Sequence, residues 1–593
     1  MPAISLVSAD NLLDAAEEFA AEPKRTPRSP RKALIPEASH AALSRALKGF
    51  AGRVRQSSIY RISLYGKVPD AIHVHPFDSR TARLEDADSY FRGRFRFAGE
   101  LLEIRQGSIF DLKMPSASYA AALHGFEWLR HLKFAGSEHA RDFASKLTQH
   151  WFNRYANYAL PAWQPEIIAR RFFNLFCHGA FFLAAEDLPW RPRLFRSLRD
   201  QTRMLARTLQ ETPDGLPRFD AAAALALAGV CLEDEAYAVV GLRRLTAEVG
   251  RQILPDGGHV SRSPEALLDA FRTLCMVQDA LDETRRKVPE LRVALDRMAP
   301  MLRFFRFSDG GLAPFNGGAE CDPKELELLL QREEMSGRPF GHAPYSGYQR
   351  LAAGRSVVLL DVGAAPPGPF SLKAHAGFLA LQMSVGHHRL IVNCGAAPAD
   401  HPRWDKALRS TAAHSTVAIA DTSPGKILDG NLASLFGARF ESAPIEVETR
   451  RGTSGRGHYV EANHDGYWER FGIVHQRRMT LSSRGNSLAG ADRLTPSESK
   501  RRKRRQEPVP YTIRFHIHPD VRVSLAQDLR SALLKLPNGE GWRFRWGGGA
   551  LSIEESVYLG TSVARRAEQL VITGEVADQP VECAWSLEQV APD

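Results

Sequence analysis

The stretch KAHAGFLALQMSVGHHRLIVNCGAAPADHPRWDKALRSTAAHSTVAIAD, residues Lys373 to Asp421, decides how the second half of the chain folds. Apolar residues alternate at Leu379, Leu381, Met383 and Val385, then at Leu390 and Val392. That period of two predicts two half-buried strands, joined by a turn at Gly386-His387-His388. His375 then stands at the head of the first strand, Asn393-Cys394-Gly395 ends the second, and His414 opens a third. Pairing carries imidazole, amide and thiol to one sheet edge, a donor set suited to a metal or an acidic sugar.

The same alternation continues outward toward the C-terminus in VVLLDV, STVAIA, RMTLSS, TIRFHIHP, WRFRW and LSIEES. Arg484-Gly485-Asn486 and Asn538-Gly539 punctuate it as hairpin turns. About a dozen short strands predict an antiparallel β-sandwich over residues 346–593. Before residue 345 the period is helical instead. In YAAALHGFEWLRHLKFA, for example, Leu123, Phe126, Leu129 and Leu132 form one stripe, and short Pro/Gly loops separate such segments. Residues 41–345 thus read as an antiparallel helical array, and residues 1–40 as a flexible arm with one short helix at 11–21. The fold class is α+β multidomain.

At 593 residues the chain is too long for one core. Hydrophobic content of 44% and charged content of 25% are those of an ordinary globular protein. No run of about 18 apolar residues exists, which excludes a membrane span. Nor is a secretory signal visible, which points to the cytoplasm. A net charge of +10 favours a polyanionic partner, and the KRRKRR run at 500–505 reads as a solvated turn or a handle for such a partner. Nucleic acid is disfavoured, because no aromatics interleave the basic residues. The six cysteines are scattered without a CxxC pair, so they read as reduced buried thiols.

ARRFFNLFCHG (169–179), ILPDGGHVSRSP (253–264), SDGGLAPFNGG (308–318), SGYQRLAAG (346–354), RSTAAHSTV (409–417) and HDGYWERFGIVHQRRM (464–479) together resemble the heparinase II/III-like polysaccharide lyases. The resemblance spans roughly residue 90 to the end. It implies an N-terminal α/α toroid, an incomplete ring of helical hairpins, followed by a β-sandwich. It also implies β-elimination on an acidic, uronate-containing polysaccharide in a cleft between them, and often a periplasmic address. A homodimer is compatible with it.

Elimination requires a neutraliser for the uronate carboxylate, a base for the C5 proton and an acid for the leaving oxygen. By the resemblance Asn174 is the neutraliser, with Arg170 and Arg171 as companions for a carboxylate. The bland alternative is that Asn174 satisfies a buried backbone group. His375 is the base or a metal ligand. Zinc-bearing members hold the ion at places that here fall on His375, Asn393 and His414, with Cys394 a possible substitute. The first histidine of the family's His-x-His pair is Lys373 here, and an aspartate two residues beyond the second is Gly377. The family's usual tyrosine is missing between Asp256 and Phe271, so His259 and Arg262 are the replacements, or else Tyr348 supplies the phenol. Arg409 orients substrate or caps a loop. His464, His475, His516 and His518 read as structural. With these losses, the alternative to a lyase is a polyanionic-carbohydrate-binding protein of the same fold with little turnover.

Overall fold

In a computed structural model, the chain is described at residues 49, 51–55, 57–183, 189–332, 339–397, 402–444, 447–497, 507–527, 530–561 and 563–590. The arm at 1–40 and the basic run at 500–505 lie outside these residues.

The first half is built of helices whose ends are written in the sequence. Ser137 caps Glu138–Tyr155 by accepting the Ala140 N–H, and Asp234 and Ser263 do the same for Glu235–Gln252 and Pro264–Glu283. Proline in the first turn starts Pro165–His178, Leu216–Cys231 and Pro289–Phe305, where its missing N–H leaves no intrahelical bond unmade. Leu216–Cys231 is apolar nearly all round, with every residue from Ala221 to Cys231 buried. Such a helix can only be central. It packs closely on Glu235–Gln252: a Cβ at Gly241 would lie 2.3 Å from the Ala226 nitrogen, so only glycine permits this approach. A small hairpin, Arg94–Phe97 with Glu100–Glu103, interrupts the helices and was not expected from the sequence.

Helices give way to strands between Arg332 and His342. Two antiparallel sheets follow. One runs from Ala550–Tyr558 through Arg565–Val576, Val509–Ile517, His388–Val392, Leu381–Val385, Ser356–Asp361 and Tyr348–Ala353 to His342–Ala343, with Val417–Ile419 also paired on Val509–Ile517. The other runs from Val447–Ser454 through Gly457–His464, Ile473–Ser482, Ser487–Pro496, Val581–Gln589, Gly541–Gly547 and Ala532–Lys535 to Arg522–Leu525. Ile473–Ser482 buries every second residue, as a strand with one face on a core must. Phe515 meets Phe544 and Trp585 between the sheets. Among the described residues no helix is long and apolar enough to cross a membrane.

Polar contacts clasp the two halves together. Asp256 accepts the Tyr345 and Ser346 amides at 2.9 and 2.7 Å. Arg262 forms an ion pair with Asp361 and donates to the carbonyls of Ser346 and Ala364, each at 2.8 Å. Arg389 bonds Asp309 at 2.6 Å and the Leu312 carbonyl at 3.0 Å, and Gln382 reaches the Pro314 carbonyl at 2.9 Å. These contacts fix how the toroid faces the sandwich.

Candidate functional site

His375 does not begin a strand. The strand starts at Leu381, and His375 lies on the loop before it, where Leu379 adopts a positive φ of 57°. Arg409 holds that loop: its guanidinium donates to the carbonyls of Ala374 and Ser371, and its own carbonyl accepts the Ala376 N–H. Arg409 is therefore a buried clamp, 2% exposed, with no surface to offer a substrate.

His375 Nδ1 lies 3.1 Å from His414 Nε2, and His414 Nδ1 lies 2.8 Å from the Ser410 carbonyl. A carbonyl can only accept, so His414 carries its proton on Nδ1 and accepts from His375 through Nε2. His375 is left with its lone pair on Nε2, which has no partner among the described residues. Burial pulls both imidazoles down, His414 to about 4, so both are neutral near pH 7. A Cβ at residue 377 would stand 2.6 Å from His414 Cδ2, so the His414 ring fills the space that an aspartate there would need.

Of the four residues expected to ligate a metal, only His375 and His414 are brought into contact. Asn393 spends its oxygen on the Ser415 N–H at 3.0 Å, and its amide nitrogen is buried without a partner. Cys394 turns the other way, with Sγ 3.4 Å from His516 Nδ1 and 3.7 Å from Ser556 Oγ, and burial raises its thiol to about 11. Two imidazoles remain where a zinc site takes three or four protein ligands. Among the described residues no group of three His, Cys, Asp or Glu side chains could hold a metal ion. The donor set does not fit zinc.

The other expected acids and bases are equally committed. His259 donates through Nε2 to Gln252 Oε1 at 3.0 Å, and its Nδ1 accepts from Ser261 Oγ at 2.7 Å. Burial pulls it to about 4. Tyr348 donates to the Arg262 carbonyl at 2.7 Å and accepts from Asn316 Nδ2 at 2.8 Å, and burial drives its phenol far above its ordinary range. Arg262 belongs to the interdomain clasp already described.

On the toroid side Asn174 is fully buried. It donates to the carbonyls of Gly125 and Arg170 at 2.8 and 3.0 Å and accepts from Arg80 at 3.1 Å. Arg171 is buried too, stacked 4.3 Å from the Trp151 ring centre and bonded to Gln201 and the His124 and Ala162 carbonyls. Asn174 thus satisfies buried backbone carbonyls, as the bland alternative has it, whereas Arg171 is buried and internally bonded rather than solvated. Arg170, half exposed, pairs with Glu127 at 3.2 Å.

Beside Asn174 the structure assembles a charged belt that motif reading missed. Arg80 grips Asp78 through two bonds of 2.9 and 2.7 Å, and Asp78 also meets His178 at 2.9 Å. Burial works against the Asp78 charge, yet Arg80 and His178 hold its carboxyl well below the usual range. Arg272 bridges Asp269 and Glu325. Asp220 accepts from Thr273 at 3.0 Å, and burial with the nearby Asp269 charge lifts it to about 7. Burial and Asp269 raise Glu265 as well, opposed by Lys373 of the sandwich. The belt therefore crosses the domain junction. Asp220, Glu265, Asp269 and Arg272 all keep part of their surface open to solvent. Arg80 and Arg272 are already answered by carboxylates. Only their spacing within Pro264–Glu283, at residues 265, 269 and 272 on one helical face, was readable beforehand.

The histidines read as structural do have structural partners. His475 Nε2 lies 2.8 Å from Asp492, which also takes Arg477 and Trp585, and His464 stacks edge-on against His475. His516 is tied to Ser556 and the Ala412 carbonyl.

A family model described as heparinase II/III-like, C-terminal, matches residues 335–586. FtsZ-localized protein C of Caulobacter vibrioides (strain NA1000 / CB15N) is 32% identical over 547 residues, which is 90% of this chain and 92% of that protein. Among solved structures, heparinase III has a TM-score of 0.66 at 14% identity, over 94% of this chain and 91% of that one. The heparan sulfate lyase HepC from Pedobacter heparinus has a TM-score of 0.56 at 13% identity, over 95% and 90%. These two likenesses establish the toroid-plus-sandwich fold.

Proposed function

We propose, for a chain that belongs to the heparinase II/III-like family, a role in binding a polysaccharide across the charged belt at the toroid–sandwich junction, with β-elimination weak or lost. One observation carries this reading. The neutraliser, the phenol and the replacement imidazole implied by the resemblance each spend their hydrogen bonds inside the protein. A phenol whose O–H is held by a buried carbonyl is not aimed at a leaving oxygen.

The belt also redefines the ligand. A uronate polymer needs cations with free valence, whereas Arg80, Arg170 and Arg272 are paired with Asp78, Glu127, and Asp269 with Glu325. Carboxylate–guanidinium pairs recognise sugar hydroxyls and amides by hydrogen bonding, so we take the ligand to be a sugar chain of low charge density rather than a polyanion. FtsZ-localized protein C is named for a location and not for a reaction, and we propose the same location for this chain.

A second reading retains the lyase, with His375 as base. The unpartnered Nε2 lone pair of His375 favours it.

Binding of neutral, amino-sugar and uronate-containing glycans, compared at low and high salt, tests the first reading. Asp269→Asn and Lys373→Ala are expected to weaken the preferred glycan, and the affinity should depend only weakly on salt. A preference for polyanions with a steep salt dependence would contradict it.

A further inference from the structure

We infer that Asn393 is the residue that keeps a metal out of this protein, and that the His375–His414 hydrogen bond does the work a cation would otherwise do at this sheet edge. Asn393 faces the Thr411–Ser415 turn, where Cys394 N–H bonds the Ala413 carbonyl at 2.9 Å and Ser415 N–H bonds Asn393 Oδ1 at 3.0 Å. That second bond fixes the orientation of the amide. Its oxygen must face the Ser415 donor, so its NH₂ must point the other way. The NH₂ is 1% exposed at the level of the residue and finds no acceptor. A buried donor without an acceptor is uncommon and calls for an explanation. A carboxylate at residue 393 could keep the Ser415 bond with one oxygen and aim the other where the orphaned nitrogen now lies.

The two imidazoles are already arranged as ligands would be. His414 donates its Nδ1 proton to the Ser410 carbonyl, which leaves Nε2 basic and its ring orientation fixed. His375 Nδ1 is 3.1 Å away, and its backbone N–H is held by Asn316 Oδ1 at 3.2 Å. The resemblance puts a third ligand at residue 393, and an amide N–H there offers a cation a dipole of the wrong sign beside the two imidazoles. The imidazoles therefore share a proton, and that bond joins the His375 loop to the His414 turn.

Zinc titration of the full-length protein and of Asn393→Asp, followed by metal analysis after gel filtration and by thermal melts with and without chelator, tests the inference. The wild type is expected to retain no zinc and to melt at the same temperature with or without chelator. Asn393→Asp is expected to retain about one zinc per chain and to melt higher with it. Stoichiometric zinc on the wild type, or a folded Asn393→Asp that retains none, would overturn it. If Asn393→Asp does not fold, Asn393→Cys takes its place: zinc retained by that folded variant but not by the wild type upholds the inference, and a folded variant that retains none overturns it.

Discussion

Tyr348 and Arg262 are joined twice. The phenol donates to the Arg262 carbonyl at 2.7 Å, and the Arg262 guanidinium lies over the Tyr348 ring, 4.8 Å from its centre. The tyrosine that could have supplied a proton to a sugar is thereby part of the clasp between the domains. Tyr348→Phe is expected to destabilise the protein by about 1–3 kcal/mol, because the Arg262 carbonyl and Asn316 amide lose a buried partner. Glycan binding by the folded variant should be unchanged, as denaturant unfolding beside a binding isotherm would show.

Asn174 behaves in the same way. Its truncation to alanine strands the Gly125 carbonyl and one bond of Arg80 in a buried setting, while the Arg170 carbonyl keeps its helical partner. The expected result is a loss of several kcal/mol, roughly 1–3 for each stranded group that water cannot reach. A substrate-contacting asparagine would instead leave the melting temperature nearly constant.

Acid should unfold this chain early. Burial pulls His259 and His414 from 6.5 to about 4, and His124 and His516 to about 3. The unfolded chain therefore binds more protons than the folded one between about pH 6.5 and 4, and stability falls as pH falls through that window. At pH 5 each histidine held at about 4 costs about 2 kcal/mol relative to neutral pH. Melting temperatures measured from pH 8 down to pH 5 should drop progressively. A flat profile would mean that these imidazoles are not buried neutral.

Asp220 carries the opposite sign. Its folded value, raised to about 7, lies above its ordinary 3.8, so its contribution to stability is lost as pH rises through 7. Asp220→Asn should gain stability relative to the wild type at pH 8 and little or none at pH 5. Melts at the two pH values read this difference directly.

The sequence carried the two architectures because each writes its own period: three and four through Leu123, Phe126, Leu129 and Leu132, two through Ile473–Ser482. The hairpin turns at Gly386, Gly485 and Gly539 were equally legible, since each needs a positive φ between two strands. The site was less so. Adjacent residues of an extended chain point to opposite sides, so Cys394 could replace Asn393 as a ligand only if the chain there turned over, an argument the sequence itself contained. Arg80 and Asp78 could not have been found in this way. They reach Asn174 and His178 from about a hundred residues away, in a segment without periodicity, and only the folded toroid brings them there.

The most direct test of the central claim is the ultraviolet absorbance of an unsaturated uronate product, followed with purified protein on heparan sulfate, hyaluronan, alginate and glucuronan. The trace should stay flat on all four while the protein binds a sugar chain of low charge density. A rise that His375→Ala abolishes would contradict this account and establish the lyase.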